Sequence, residues 1–151
     1  MIKGERKQIL VVDDDATFLT GLTAVLQTEG YTVDVVGSGK EAIEKSKNQH
    51  YSLALLEIRL PDMEGTQLLT RMGLGVPRTR TIMITGYPSL KNTVEALNRG
   101  ADAYVVKPID PCKLLQIIEE KLEDQESEHR MHVTNEESLQ TETVLKYHNP
   151  L

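Results

Sequence analysis

The chain contains no tryptophan, one phenylalanine and one cysteine, Cys112. A lone cysteine excludes an internal disulfide and any cysteine-based metal cluster. Aromatics make up 4% of the 151 residues, so a core has to be built from Leu, Val, Ile and Ala. Long apolar runs are also missing: none approaches the roughly 20 residues that span a bilayer. The opening MIKGERKQILVV turns into a strand pattern too early for a secretory signal, and a cytoplasmic location is expected. Basic residues are outnumbered, 17 Lys and Arg against 23 Asp and Glu, for a formal net charge of -6. That balance argues against electrostatically driven binding to nucleic acid or to an anionic membrane.

What is present is an alternation. Short apolar runs, continuous as in strands buried on both faces, are separated by amphipathic segments. The runs are Gln8–Val12, Tyr31–Val36, Tyr51–Leu56, Thr81–Thr85 and Ala103–Val106. After the first, Phe18, Leu19, Leu22, Val25 and Leu26 recur at helical spacing up to Gly30. Ser38 followed by Glu41 reads as a capping box for the next helix. Helices are expected from about Thr66 to Met72, over Ser89–Arg99 and over Lys113–Glu123. Five strands alternating with helices predict a flavodoxin-like (βα)5 fold of three layers, with a parallel sheet in the order 2-1-3-4-5. Such a sheet places its site outside the carboxyl ends of the strands.

The polar residues at those ends are Asp13, Asp14 and Asp15 after the first strand, Glu57 after the third, Thr85 after the fourth and Lys107 after the fifth. Clustered carboxylates repel unless a cation neutralises them, and a hard ion such as Mg²⁺ is the natural partner. Thr85 offers a hydroxyl and Lys107 a mobile positive charge, both suited to phosphoryl oxygens. Taken singly each is ordinary; Asp15, for example, reads as a helix cap. Their joint placement is not ordinary.

The segments QILVVDDD, LLEIRLPDMEG, TIMITG and AYVVKP resemble, in order and spacing, the signature segments of response-regulator receiver domains, over about Gln8 to Leu122. The resemblance implies that Asp13 and Asp14 are a metal-binding acidic pair and that position 57 is the phospho-acceptor. It also implies that the backbone carbonyl of Arg59, with Glu57, completes a Mg²⁺ shell. Thr85 is similar to the family's switch hydroxyl, Lys107 to its lysine before a cis Pro108, and Tyr104 to the aromatic that moves with the switch. The small Gly86 sits where a phosphoryl group must enter.

At position 57 the chain departs from the pattern. The family forms an aspartyl phosphate, and Glu57 extends the carboxylate by one methylene, about 1.5 Å. A displacement of about 1 Å can cost on the order of 100-fold in rate. Two outcomes follow. Glu57 engages Thr85 and Lys107 and biases the switch, with its charge of about -1 partly replacing a phosphate. Otherwise Glu57 pairs with Lys107, with Arg59 or with the metal, and the domain is locked. A phosphorylation-independent or constitutively biased receiver is expected.

A receiver at 1–124 leaves an acidic extension at 125–151, partly helical or disordered. From Glu123 onward seven acidic residues face two basic ones, too short a stretch for a conventional effector. Thr134 with Glu137 reads as a second capping box, opening a helix over Asn135–Tyr147 with Leu139, Val144 and Tyr147 as an apolar stripe. His129 and His132, three apart, are expected to be solvated, and Cys112 partly buried. By the resemblance, the face of helix four, strand five and helix five binds a histidine kinase, a downstream protein or a second copy of the chain, through Tyr87, Leu90 and Tyr104. Two rivals stand. Asp13-Asp14-Asp15-Ala16-Thr17 also resembles the D-x-D-x-T pattern of haloacid-dehalogenase-type Mg²⁺ phosphatases, with Asp13 as nucleophile and Asp15 as acid. No further acidic pair follows Val106, however. The third reading is a purely structural adaptor.

Overall fold

The computed structural model describes the backbone of residues 6–148 and the side chains of 6–140. Five parallel strands, β1 (Gln8–Val12), β2 (Thr32–Val36), β3 (Leu53–Leu56), β4 (Arg80–Thr85) and β5 (Ala103–Val106), form one sheet in the order β2-β1-β3-β4-β5. Between them run α1 (Ala16–Thr28), α2 (Gly39–Asn48), α3 (Leu69–Met72) and α4 (Leu90–Asn98), and α5 (Pro111–His148) closes the chain. This is the flavodoxin-like arrangement expected from the alternation of strands and helices.

The continuous apolar runs are explained by what covers the sheet. Ile9, Val11, Leu53, Leu55, Ile82 and Ile84 pack against Leu22 and Leu26 of α1 and Leu114 and Ile118 of α5. Their strand neighbours Leu10, Val12, Ala54, Leu56 and Met83 point the other way, onto Ala42 of α2, Leu69 and Met72 of α3 and Ala96 of α4. Period-two alternation therefore serves two apolar faces at once, and no polar face remains in the central strands.

Local signals set most boundaries. Asp15 caps α1, its side chain accepting from Phe18 N, and Gly30 leaves the helix at a φ of 96°, where a side chain would be strained. Ser38 caps α2 as expected, accepting from Glu41 N. The return bond from Glu41, however, goes to Gly37 N and not to the cap residue. A capping box that the sequence reading passed over, Ser89 with Asn92, opens α4.

Two expectations about helices are corrected. The helix expected from Thr66 is a 3-10 turn over Gly65–Leu68, and α3 is a single turn after it. Gly65 is drawn tightly toward the end of β3, its N–H donating to Ile58 O at 2.6 Å, which leaves little room for a regular first turn. Thr134 does not open a new helix either. It lies within α5, its hydroxyl donating back to Arg130 O at 2.9 Å. No Gly or Pro falls between Pro111 and Pro150, so nothing in the backbone stops the helix. Leu139 is largely exposed; the side chains of Val144 and Tyr147 lie outside the described residues.

The lower part of α5 is fastened to the amino-terminal edge of the sheet. Buried Gln125 donates from Nε2 to both Ser52 O and Arg78 O, each at 2.8 Å. Arg80, buried at the start of β4, pairs with Glu128, and Lys7 with Glu126 at 3.1 Å.

Candidate functional site

Hydrogen bonds between neighbouring strands run one residue beyond the strand ends. Asp13 N donates to Val36 O, Glu57 N to Val12 O and Lys107 N to Thr85 O, at 3.1, 2.9 and 2.8 Å. Val12 is in register with Leu56 and Thr85 with Val106, so the residues that follow emerge along one edge. Asp13, Glu57, Thr85 and Lys107 meet there because each is the first residue at or past the end of a neighbouring strand.

Asp13 and Glu57 are 2% and 4% exposed. Between them lies the Lys107 ammonium, 2.7 Å from Asp13 Oδ2 and 3.4 Å from Glu57 Oε1. Burial pulls the Lys107 pKa down, but the hydrogen bond to Asp13 and the charges of Asp13 and Glu57 outweigh it and hold it above the usual lysine value. The second oxygens are taken too. Asp13 Oδ1 accepts from Asp15 N at 2.9 Å, and Glu57 Oε2 folds back to accept from Ile58 N at 2.7 Å.

The remaining residues named from the sequence divide. Asp14 is exposed. Thr85 is fully buried, its Oγ1 accepting from Tyr87 N at 3.0 Å. No side-chain hydrogen bond joins Thr85 to Glu57 among the described residues. Arg59 does not reach Glu57: its guanidinium stacks 4.3 Å from the Tyr87 ring centroid. Tyr104 is half-buried against the core, and its hydroxyl donates to Asn92 Oδ1 at 2.7 Å. The cis bond between Lys107 and Pro108 is present. A Cβ at Gly86 would meet only the Lys107 Cδ, at 3.8 Å, so an alanine would fit. Asp15, the acid of the phosphatase reading, is spent as the α1 cap. Cys112 is exposed rather than partly buried. His132 pairs with Glu136 at 3.1 Å.

Receiver domains typically hold Mg²⁺ at such an edge, and the oxygens here are the hard donors that ion prefers. Asp13 and Glu57 offer such oxygens side by side, with the Lys107 ammonium between them. All four carboxylate oxygens of Asp13 and Glu57 are engaged, two of them by an ammonium. No group of three or more His, Cys, Asp or Glu among the described residues could hold a metal ion. Of the set Asp13, Asp14, Glu57 and Arg59 expected from the sequence, Asp13 and Glu57 are brought together, and the Asp14 side chain is exposed. Glu57 folds onto its own neighbour's N–H and also touches Lys107.

Sequence reasoning missed three contributors. Asp62, inside the LPDMEG segment, bonds Gly39 N and Lys40 N, both at 2.9 Å, tying the loop after β3 to the start of α2. Those bonds hold its carboxyl below the usual range. Gly65 packs against the Glu57 carbonyl so closely that a Cβ would lie 1.9 Å from it. Phe18 places its ring centroid 4.1 Å from the Lys107 Nζ. The solitary phenylalanine in the composition was the available signal for the last.

A parallel sheet of this order, with acids and a lysine converging at its carboxyl edge, is a doubly wound α/β fold with its site at the strand ends. The Response regulator receiver domain family matches residues 9–119, and the chain belongs to it. It is the receiver domain of a two-component response regulator, a module of signal transduction. The chain is 37% identical over 121 residues to the transcriptional regulatory protein ZraR of Klebsiella oxytoca, covering 80% of this chain and 27% of that one. It thus spans about a quarter of the length of that relative. A CheY-like receiver domain protein from Methanospirillum hungatei is 46% identical, with a TM-score of 0.78, covering 82% of this chain and 99% of the other. A response regulator from Burkholderia pseudomallei, solved with a phosphorylated aspartic acid, a calcium ion and citrate, is 26% identical with a TM-score of 0.70, covering 83% and 74%.

Proposed function

We propose that this receiver transmits its signal by protein contact without phosphoryl transfer at position 57, the acceptor position, where Glu57 is held by Lys107 and by its own neighbour. The observation that carries the reading is the buried ion triplet, in which one ammonium spans Asp13 and Glu57. A nucleophilic carboxylate has to present an oxygen to the incoming phosphorus with little tolerance in distance. Glu57 instead directs Oε2 to Ile58 N and Oε1 to Lys107. Of the two outcomes posed by the longer carboxylate, pairing with Lys107 is favoured over engagement of Thr85. Lys107 offsets one of the two buried negative charges, and in this reading the module signals without Mg²⁺.

Output falls to the surface formed by α4, β5 and the start of α5. Tyr87, Leu90, Val94, Leu97 and Val106 are exposed there, whereas Tyr104 is half-buried and contributes through Asn92. The proposed partners are a histidine kinase, a downstream protein or a second copy of the chain, met in the cytoplasm. Among the described residues no helix is long and apolar enough to cross a membrane.

The test is chemical. The protein is incubated with Mg²⁺ and acetyl phosphate, and its mass is followed. No phosphoryl gain is expected for the natural chain, and a base-labile gain is expected for Glu57→Asp. Labelling mapped to Glu57 would sink the reading.

A further inference from the structure

The contact between Phe18 and Lys107 belongs to a closed circuit. Asp15 N donates to Asp13 Oδ1 at 2.9 Å, and the Asp15 side chain in turn accepts from Phe18 N at 3.1 Å. The Phe18 ring faces the Lys107 ammonium at 4.1 Å, and that ammonium donates to Asp13 Oδ2 at 2.7 Å. Asp13 is thereby joined to Lys107 on both sides, directly and through the first turn of α1. Phe18 is the only phenylalanine of the chain, and it also packs on the core face formed with Leu22 and Leu26. Its backbone is set by a cap and its ring by the core.

We propose that Phe18 is a positioning residue, which uses its π face to hold the Lys107 ammonium against Asp13 and Glu57. This deepens the reading of Lys107 as the internal cation and rests on it. A lysine stem has four rotatable carbons and loses rotamer freedom when its head is fixed. Two acceptors define a line, and the ammonium could still swing about it toward solvent. The ring adds a third contact off that line: a cation within about 6 Å of an aromatic centroid is attracted by the ring quadrupole, and more so where water is partly excluded. Lys107 is 20% exposed, an intermediate case. An aliphatic side chain of similar size would fill the space but supply no such attraction.

The experiment reads the amine itself. The intact protein is treated at neutral pH with a limiting acetylating ester, and modified lysines are quantified by peptide mass mapping. Exposed Lys91 and Lys113 serve as internal references. Phe18→Leu is expected to speed acetylation of Lys107 roughly fivefold relative to the references, the scale of a partly desolvated cation–π contact. Phe18→Tyr should return the natural rate. A variant with trifluorinated phenylalanine at position 18 keeps the shape, withdraws electrons from the ring and should behave as Phe18→Leu does. The proposal is overturned if Phe18→Leu leaves Lys107 at its natural rate. It is equally overturned if the tyrosine variant reacts as fast as the leucine one, or if the fluorinated ring changes nothing. Should Phe18→Leu unfold the chain, all lysines would accelerate together, and the fluorinated variant then decides. The reaction needs neither phosphoryl donor nor Mg²⁺, so its result is independent of whether Glu57 accepts a phosphoryl group.

Discussion

Replacing Lys107 by methionine keeps the length and apolar stem of the side chain and removes its charge. Asp13 and Glu57, both almost wholly buried, are then left facing one another without a cation. Breaking a buried ion pair by removing one partner costs about 3–5 kcal/mol, chiefly because a charge stays buried and uncompensated. Lys107 is 20% exposed on its side chain, so solvent screens part of the interaction and the low end applies. We therefore expect Lys107→Met to lose about 2–3 kcal/mol, a large share of the roughly 5–15 kcal/mol typical of a domain. With a urea slope of about 1.5 kcal/mol/M the unfolding midpoint falls by about 1.3–2 M, with the slope unchanged. The triple variant Lys107→Met, Asp13→Asn, Glu57→Gln should recover most of the loss, since the buried charges go together. The pH dependence has a definite sign. The folded pKa of Lys107 is raised, so its stabilisation is complete below the unfolded value of about 10.4 and fades as pH rises through the higher folded value. The gap between the natural chain and Lys107→Met should thus hold at pH 7–10 and close above it. A loss under about 0.5 kcal/mol at pH 7 would refute the view that the ammonium stabilises this pair.

Other outcomes follow from single positions. Thr66 is fully buried and its hydroxyl has no hydrogen-bond partner among the described residues, so Thr66→Val should raise stability by about 1 kcal/mol in the same urea assay. Gly65→Ala would drive a Cβ into the Glu57 carbonyl; a loss of about 3 kcal/mol is expected, with shifted amide NMR signals from Glu57 and Ile58. Gly21 lies inside α1 with nothing within 4 Å of an added Cβ and without a positive φ. Gly21→Ala should accordingly raise the midpoint, by about 0.5–1 kcal/mol in free energy; a decrease would mean that the helix approaches a neighbour there.

Strands and site were readable in the sequence because they depend on local pattern and on topology, and a five-fold alternation of strand and helix leaves few topologies open. Continuous apolar runs such as Gln8–Val12 announce burial on both faces, and the first polar residue after each run then has one place to go. Asp15, Ser38 and Gly30 likewise act within a few residues of themselves, and their effects were legible. The partners of Glu57 were not. Whether it would reach Thr85, Arg59 or Lys107 depends on differences of an ångström or two among side chains from three strands, and no spacing encodes that. Arg59 went to Tyr87, and Phe18 to Lys107, for the same reason. The length of α5 was also hidden, because a polar helix without Gly or Pro carries no punctuation, and Gln125 and Glu128 gain their buried partners only once the sheet edge exists. Local chemistry in the chain determined the architecture and brought Asp13, Glu57 and Lys107 to one sheet edge. The tertiary structure decided which charges pair within it, because pairing is a competition settled by distance in the assembled molecule.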